Sequence, residues 1–329
     1  MIPQDTVLVQ LIRLVDRIPL APPPKRRPRG RPLVYSDRLF LKALVIMLVR
    51  NLHTVNELLS VLAQPTPEMQ ALRVLLSTEP SGRFPSRRTW ERRLKTLPDS
   101  LPERIGLLGR HLVGLIRPWA GGGRAVALDS TVLRARGGVW HKKDREAGKV
   151  PHTSIDTEAH WTKSGWHGWV FGWKLHLATT VAGVWIPLAA RLTPANEADS
   201  RLAPRLLQEL PEEARFVLGD THYNAPEVRE LCESQDRILV ASKHGSYPHT
   251  DAGVEVRRIF HELRSRAIEN FNGQFKSIFG GNGQVPTKGW LNTARFALGA
   301  IFVYQLALLY QYEHEQDLRA GLKAFLKAA

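Results

Sequence analysis

One cysteine, Cys232, stands among 329 residues, which excludes internal disulfides and every zinc site built on paired cysteines. Long apolar runs are missing too. The most hydrophobic stretch, Phe296 to Tyr310, covers 15 residues and carries Gln305, short of the roughly 20 that a bilayer-spanning helix needs. It reads as a buried helix, and no membrane partner is expected. The opening residues, Met1-Ile2-Pro3-Gln4-Asp5, hold no charged region leading into an apolar run, so no secretory signal is expected and the reading is cytoplasmic. Acidic residues are scarce: 31 Asp and Glu face 46 Lys and Arg, a net charge of +15. With 43% hydrophobic and 23% charged residues the chain is neither disordered nor fibrous, and its positive excess implies a polyanionic partner, nucleic acid.

The excess is unevenly placed. Residues 1–120 hold 20 Lys and Arg against 9 Asp and Glu, net +11, and residues 121–329 hold 26 against 22, net +4. A break is expected at Gly121-Gly122-Gly123, dividing a helical DNA-binding region (1–120) from an α/β region (121–329). Apolar spacing predicts helices over Val7 to Ile18, Arg38 to Leu52 after Ser36-Asp37, and Val55 to Leu62. Between the first two lies a basic arm, residues 25–32, whose Pro28-Arg29-Gly30-Arg31-Pro32 core is too proline-rich for helix. Arg29 and Arg31 would either lie in a narrow A·T minor groove or touch phosphates without sequence preference. A further helix opens at Ser86, with Trp90 and Leu94 on an inward stripe and Arg87, Arg88, Arg92 and Arg93 around it, a recognition-type arrangement for DNA contact.

After the glycines the pattern alternates. A short strand from Arg124 to Leu128 ends at Asp129. Trp169 to Thr180 forms a hairpin with Val184 to Leu192 around Ala182-Gly183, a helix runs from Asp199 to Leu210, and a strand Phe216-Val217-Leu218 ends at Gly219-Asp220. A helix near Ala225 to Glu233, a fifth strand Ile238 to Ala241, and long helices at Arg257 to Ile278 and Trp290 to Glu313 complete the order. Three antiparallel strands followed by helix-linked parallel ones describe an RNase H-like mixed five-stranded sheet flanked by helices, here preceded by an all-α region.

In that sheet the first and fourth strands are parallel neighbours, so Asp129 and Asp220 converge at one edge, where ligand crevices of open α/β sheets lie. Two adjacent carboxylates repel. A pair of Mg²⁺ ions roughly 3.5–4 Å apart would relieve the repulsion and serve phosphoryl chemistry, with Mn²⁺ as a substitute. A third oxygen ligand is expected from Glu269 in Arg266-Ala267-Ile268-Glu269-Asn270-Phe271-Asn272-Gly273-Gln274-Phe275-Lys276. Arg266, Gly273 and Lys276 share its side of the helix while Ile268, Phe271 and Phe275 face the core, so Arg266 and Lys276 are candidate phosphate clamps.

The sequence resembles the DDE transposases of bacterial insertion sequences, of the broad group numbered four and five. The three acidic motifs are Ala127-Leu128-Asp129-Ser130-Thr131, Leu218-Gly219-Asp220-Thr221-His222-Tyr223 and Arg266-Ala267-Ile268-Glu269. Asp156-Thr157-Glu158-Ala159-His160-Trp161, Gly172-Trp173-Lys174-Leu175-His176 and Thr193-Pro194-Ala195-Asn196-Glu197-Ala198-Asp199 resemble supporting blocks of the same group. No Tyr precedes Glu269 at the spacing usual in the subgroup numbered four, and only 49 positions separate Asp220 from Glu269, so the subgroup numbered five fits better. The resemblance implies a homodimer that binds terminal inverted repeats, hydrolyses phosphodiester bonds to free 3′-hydroxyls and uses them to attack target DNA. It implies Asp129, Asp220 and Glu269 as catalytic metal ligands. Two other readings are a catalytically silent DNA-binding relative and a host RNase H-like nuclease; the intact acid set argues against the first and the large basic N-terminal part against the second.

Several residues stay open. Lys174 and His176 alternate outward on their strand, toward an active-site or DNA face or toward solvent; with Tyr223 they are accessory candidates. Asp199 reads as a helix N-cap, Trp173 as core, and Trp161, Trp166 and Trp169 as either core or base-stacking groups. Cys232, without a partner, reads as inert.

Overall fold

The computed structural model describes residues 6–19, 34–77, 84–117, 124–139, 141–149, 154–165, 168–241, 251–279, 283–320 and 322–328. The basic arm with Arg29 and Arg31, the triple glycine and Trp166 lie outside them. Among the described residues six α-helices come first: α1 (Val7–Arg17), α2 (Asp37–Val49), α3 (Val55–Leu62), α4 (Pro67–Ser77), α5 (Arg87–Thr96) and α6 (Leu101–Ile116). Local chemistry starts several of them. Thr54 and Glu57 form a reciprocal capping box on α3, with Thr54 N to Glu57 Oε2 at 2.9 Å and Glu57 N to Thr54 Oγ1 at 3.1 Å. Ser86 accepts from Thr89 N at 3.3 Å to open α5.

The second part runs β1 (Ala125–Arg134), α7 (Lys142–Glu146), β2 (His160–Ser164), β3 (Gly168–Thr180), β4 (Pro187–Pro194), α8 (Asp199–Leu207), β5 (Phe216–Leu218), α9 (Pro226–Ser234), β6 (Ile238–Val240), α10 (Asp251–Phe279), α11 (Trp290–Glu313) and α12 (Leu322–Ala328). The strands form one mixed sheet in which β3, β1, β5 and β6 are successive neighbours, and β4 and β2 both pair with β3. Strands β1, β3 and β4 are antiparallel; β1, β5 and β6 are parallel. That is the RNase H-like order expected, with one strand added. β2 escaped the sequence pattern because it is a short edge strand without an apolar alternation: His160 and Lys163 are exposed and its other residues only partly buried.

Two boundaries differ from expectation. β1 does not stop before Asp129 but continues to Arg134, because β3 is 13 residues long and pairs with it up to Arg134↔Gly172. Asp199 is the first residue of α8 rather than its cap, a position taken by Ala198 without a side-chain bond; the Asp199 carboxylate is drawn to β3 instead.

The early helices and the sheet share one continuous core. Leu8 of α1, Phe40 of α2, Trp90 of α5, Leu108 of α6, Trp173 of β3 and Phe302 of α11 all belong to it. Helix α11 is long and apolar enough by length and composition to cross a membrane, yet it is the central core helix, packed on α1, α2, α6 and β4. Its buried Gln305 donates through Nε2 to Ile105 O and Pro187 O, both at 2.8 Å, tying α6 to β4. Those two elements approach closely at Gly109, where a Cβ would sit 2.5 Å from Pro187 O. The start of α11 is capped from a distance: Gly289 N donates to Asp156 Oδ2 at 3.0 Å and Trp290 N to Glu158 Oε2 at 2.9 Å. Two carboxylates at a helix N-terminus are favoured by its dipole. Trp173 Nε1 also donates to Asp156, at 3.3 Å, so Trp173 is core, as expected.

Candidate active site

The parallel pairing of β1 with β5 covers Ala125↔Phe216, Val126↔Val217 and Ala127↔Leu218. Two residues past the last pair, on each strand, stand Asp129 and Asp220. Strand β5 ends at Leu218 while β1 runs on against β3 to Arg134, so the two acids stand side by side just past the end of the parallel ladder. Alternation along β1 separates its faces. Ala125 and Ala127 pack with Leu218, Val181 and with Ala267 and Ile268 of α10, so Asp129 projects on the α10 side. Val126 and Leu128 enter the main core, and Ser130 follows them to the other side.

Burial pushes the Asp129 carboxyl up to about 6, and the negative charges of Asp220 and Asp199 add to the rise; the Ser130 N–H and the Arg264 guanidinium oppose it. Asp220 is a third exposed. Its Oδ1 accepts from His222 N at 2.8 Å and its Oδ2 lies 3.2 Å from His222 Nδ1, so the carboxylate caps the turn Thr221–Tyr223. Tyr223 is fully buried, and its hydroxyl has no hydrogen-bond partner among the described residues. Burial first, then Asp199, Asp129 and Asp220, hold the phenol well above its ordinary value, so it remains a proton donor amid the acids. Gly219 makes that placement possible: a Cβ there would lie 2.8 Å from Tyr223 Cβ.

Helix α10 packs on β1, β3 and β5 with a buried stripe of Ala267, Ile268, Phe271 and Phe275. Arg264 falls on this stripe, four residues before Ile268, and acts electrostatically on Asp129 and Tyr223. Lys276 is half-buried; burial and Arg134 push its ammonium down while Asp129 pulls it up. Lys276 therefore comes within electrostatic reach of Asp129. Glu269 and Arg266 do not. Both are exposed, and Arg266 is 3.9 Å from Glu262. Among the described residues no group of three His, Cys, Asp or Glu is gathered closely enough to hold a metal. The structure thus brings two of the expected three acids together and leaves the third on the solvent side of α10.

A family model described as a transposase DDE domain matches residues 120–306, a span containing both aspartates and Glu269. The chain belongs to the DDE transposases. It is a DNA-cleaving and strand-transferring enzyme of the kind that acts on transposon ends, and the family works with divalent metal ions. No curated protein matches the chain. Among solved structures it is similar to a piggyBac transposase synaptic complex with hairpin DNA, at 9% identity over 99% of this chain and 76% of the other, TM-score 0.40. It is also similar to a Mos1 transposase paired-end complex with left transposon end, at 13% identity over 88% and 80%, TM-score 0.23.

In this transposase Lys174 and His176 face neither solvent nor DNA. His176 is fully buried and Lys174 nearly so, and both turn to Asp199: Nζ of Lys174 is 3.4 Å and Nδ1 of His176 3.2 Å from its Oδ1. Neither Nδ1 of His176 nor Oδ1 of Asp199 has a hydrogen-bond partner among the described residues. Nε2 of His176 is 2.9 Å from Thr193 Oγ1, and Lys174 donates to Glu197 O at 2.8 Å. Burial alone would raise the Asp199 carboxyl, but the His176 contact, the Lys174 charge and the Ser130 hydroxyl outweigh it and hold the group at about 2. Asp199 and Arg264 are the site residues that sequence reasoning missed. Arg264 was detectable, since it shares the helical phase of Ile268, Phe271 and Phe275; Asp199 was hidden behind its resemblance to a cap.

The transposase's α5 divides its arginines. Arg88 and Arg92 are exposed, with no ion pair among the described residues, and Arg87 pairs with Glu91 at 2.8 Å. Arg93 is different from expectation. It pairs with Asp37 and lies 4.8 Å over the Phe40 ring, and Asp37 also holds Arg104 at 2.8 Å, so Arg93 braces α5 against α2. Trp161 stacks on His141 at 5.2 Å and Trp169 is 68% exposed. Cys232 is buried, and burial pushes its thiol up to about 11, which leaves it inert at neutral pH.

Proposed function

We propose that Asp129 and Asp220 are the metal-binding catalytic acids of this transposase, with Glu269 the third, and that residues 121–329 carry the chemistry while residues 1–120 grip the element's ends. What supports the reading is the register: Ala127 opposite Leu218 sets the two aspartates at matching offsets on adjacent parallel strands. The donor set fits hard dications. Two carboxylates supply oxygen ligands, and the Asp129 carboxyl, raised by burial and by neighbouring charge, gains by meeting a cation. When bound, a pair of Mg²⁺ ions, or Mn²⁺ in their place, supplies Lewis-acid polarisation of the attacking and leaving oxygens.

The chain's own residues position the strand. Lys276, with Arg266 at the exposed face of α10, clamps phosphates, and Arg264 offers charge beside Asp129. Glu269 lies one residue, about 100° of helical turn, beyond the buried Ile268, which sets its carboxylate beside the stripe that α10 packs on the sheet. Water first attacks the phosphorus in line, forming a new P–O bond as the bond to the 3′-oxygen breaks and frees a 3′-hydroxyl. That hydroxyl, giving up its proton, then attacks a target phosphodiester in line; the new P–O bond forms as the bond to the target's own 3′-oxygen breaks, and that oxygen leaves as a 3′-hydroxyl. Arg87, Arg88 and Arg92 of α5 and Arg29 and Arg31 of the arm hold flanking DNA, and two copies pair the two ends at the bacterial nucleoid.

The test is Mg²⁺-dependent cleavage of the element's own ends by Asp129→Ala, Asp220→Ala and Glu269→Ala. Each is expected to lose cleavage by at least about a thousandfold, the scale of removing a group that acts only in the transition state, while binding the ends within a few-fold of the parent. Cleavage by Asp220→Ala would refute the site, and cleavage by Glu269→Ala alone would limit it to the two aspartates.

A further inference from the structure

The buried polar groups behind β1 are too many to be packing. Lys174, His176 and Asp199 come from two different elements, β3 and α8, and each is largely withdrawn from water. Ionised groups in such a place cost stability unless each is matched, and a hydrophobic trio would fill the space more cheaply. Their location is informative. Ser130, whose side chain is near enough to help lower the Asp199 carboxyl, is the neighbour of Asp129 in sequence and lies directly across from His176, itself 3.2 Å from Asp199, in the β1–β3 register. Strand β1 has lost β5 by this point, since their ladder ends at Ala127. From Leu128 to Leu133 the only strand paired with β1 is β3, until Gln284 bridges Arg134 on the other side, so the stretch that carries Asp129 has a one-sided ladder. Asp199 supplies the missing restraint from the reverse face of the sheet. It also adds a negative charge close enough to act on Asp129 and Tyr223.

We infer that the Lys174–His176–Asp199 cluster, working through Ser130, is a positioning site that aims Asp129 at the catalytic cations and strengthens their binding by its charge. The inference rests on the reading of Asp129 as a metal ligand. Asp199 is not itself a ligand: Lys174, His176 and Ser130 already engage its carboxylate, and alternation along β1 sends Ser130 away from the face on which Asp129 projects. Lys174 sets the polarity of the device by holding Asp199 ionised, and His176 fixes its direction, being anchored at its other nitrogen by Thr193.

The experiment measures Mn²⁺ binding to the DNA-free full chain by electron paramagnetic resonance, alongside cleavage kinetics on end DNA, for four variants. Asp199→Asn keeps an oxygen near Ser130 but removes the charge; it should weaken Mn²⁺ binding roughly 10–100-fold, the usual effect of losing an outer partner of a metal ligand. Ser130→Ala keeps the charge and cuts the tie. It should lower kcat about tenfold or more with KM for DNA unchanged, and Ser130→Thr should restore it, which a general loss of packing would not allow. Asp129→Asn is the control for the underlying reading. If it binds Mn²⁺ like the parent, the metal site is misplaced and the positioning role falls with it. If Asp129→Asn loses Mn²⁺ while Asp199→Asn and Ser130→Ala bind and cut like the parent, the site stands and the positioning role is overturned. Should Asp199→Asn fail to fold, the Ser130 pair, which leaves every buried charge in place, decides the question.

Discussion

A single substitution, Asp129→Asn, separates a carboxylate kept for cation binding from one kept for structure. The Asp129 carboxyl rises from its ordinary 3.8 to about 6 in the folded chain. At 1.36 kcal/mol for each pH unit, that rise corresponds to about 3 kcal/mol of penalty on the ionised form, and partial access to solvent reduces it to about 1–3 kcal/mol. The sign follows from proton counts. Between the two values the folded state binds more protons than the unfolded one, so stability falls as pH rises from about 4 to about 6 and stays low above it. Asn cannot ionise yet still accepts from the Ser130 N–H. In chelator at about pH 7.5 the variant should therefore unfold at a higher urea midpoint than the parent, with the gap closing near pH 4. Added Mg²⁺ should reverse the order, stabilising the parent by mass action and leaving the variant unmoved. A variant less stable than the parent in chelator at pH 7.5, or one stabilised equally by Mg²⁺, would show that Asp129 is a structural acid and would refute the electrostatic account of the site.

Other consequences concern DNA and packing. Arg88→Ala and Arg92→Ala should weaken DNA binding and each reduce the salt slope by about 1, without changing the thermal midpoint. Arg93→Ala should instead lower stability by about 1 kcal/mol, the scale of one ion pair and one cation–π contact, measured by urea denaturation; an unchanged midpoint would make Arg93 a DNA contact after all. Gly109→Ala places a methyl 2.5 Å from Pro187 O and should cost about 1–3 kcal/mol by forcing α6 off β4, again read from the urea midpoint. A neutral result would mean the two elements part easily.

Much of the fold was legible because its signals are local. The hairpin of β3 and β4, the parallel strands β5 and β6, and the buried stripe of α10 each follow from apolar spacing within a dozen residues. So does the pairing of Asp129 with Asp220, because both follow apolar strands whose order the topology makes adjacent. β2 was not legible, since an edge strand with exposed His160 and Lys163 carries no alternation. Nor was Arg93, which is indistinguishable in sequence from its exposed neighbours; only the arrival of Asp37 and Phe40 from α2 turns it inward.

By itself, then, the sequence determined the chemistry on offer: a basic N-terminal third, an α/β sheet, two strand-borne aspartates and a helix with a glutamate. Period and order are properties of the chain alone. Tertiary structure decided what meets what. It merged the early helices and the sheet into one core through α11, drew Asp199 away from a capping role to a lysine and a histidine on β3, and put Arg264 rather than Glu269 on the face of α10 that packs on the sheet. Those outcomes depend on which faces of distant segments come together, and a carboxylate or guanidinium acquires its role only from the burial and neighbouring charges that such contacts create.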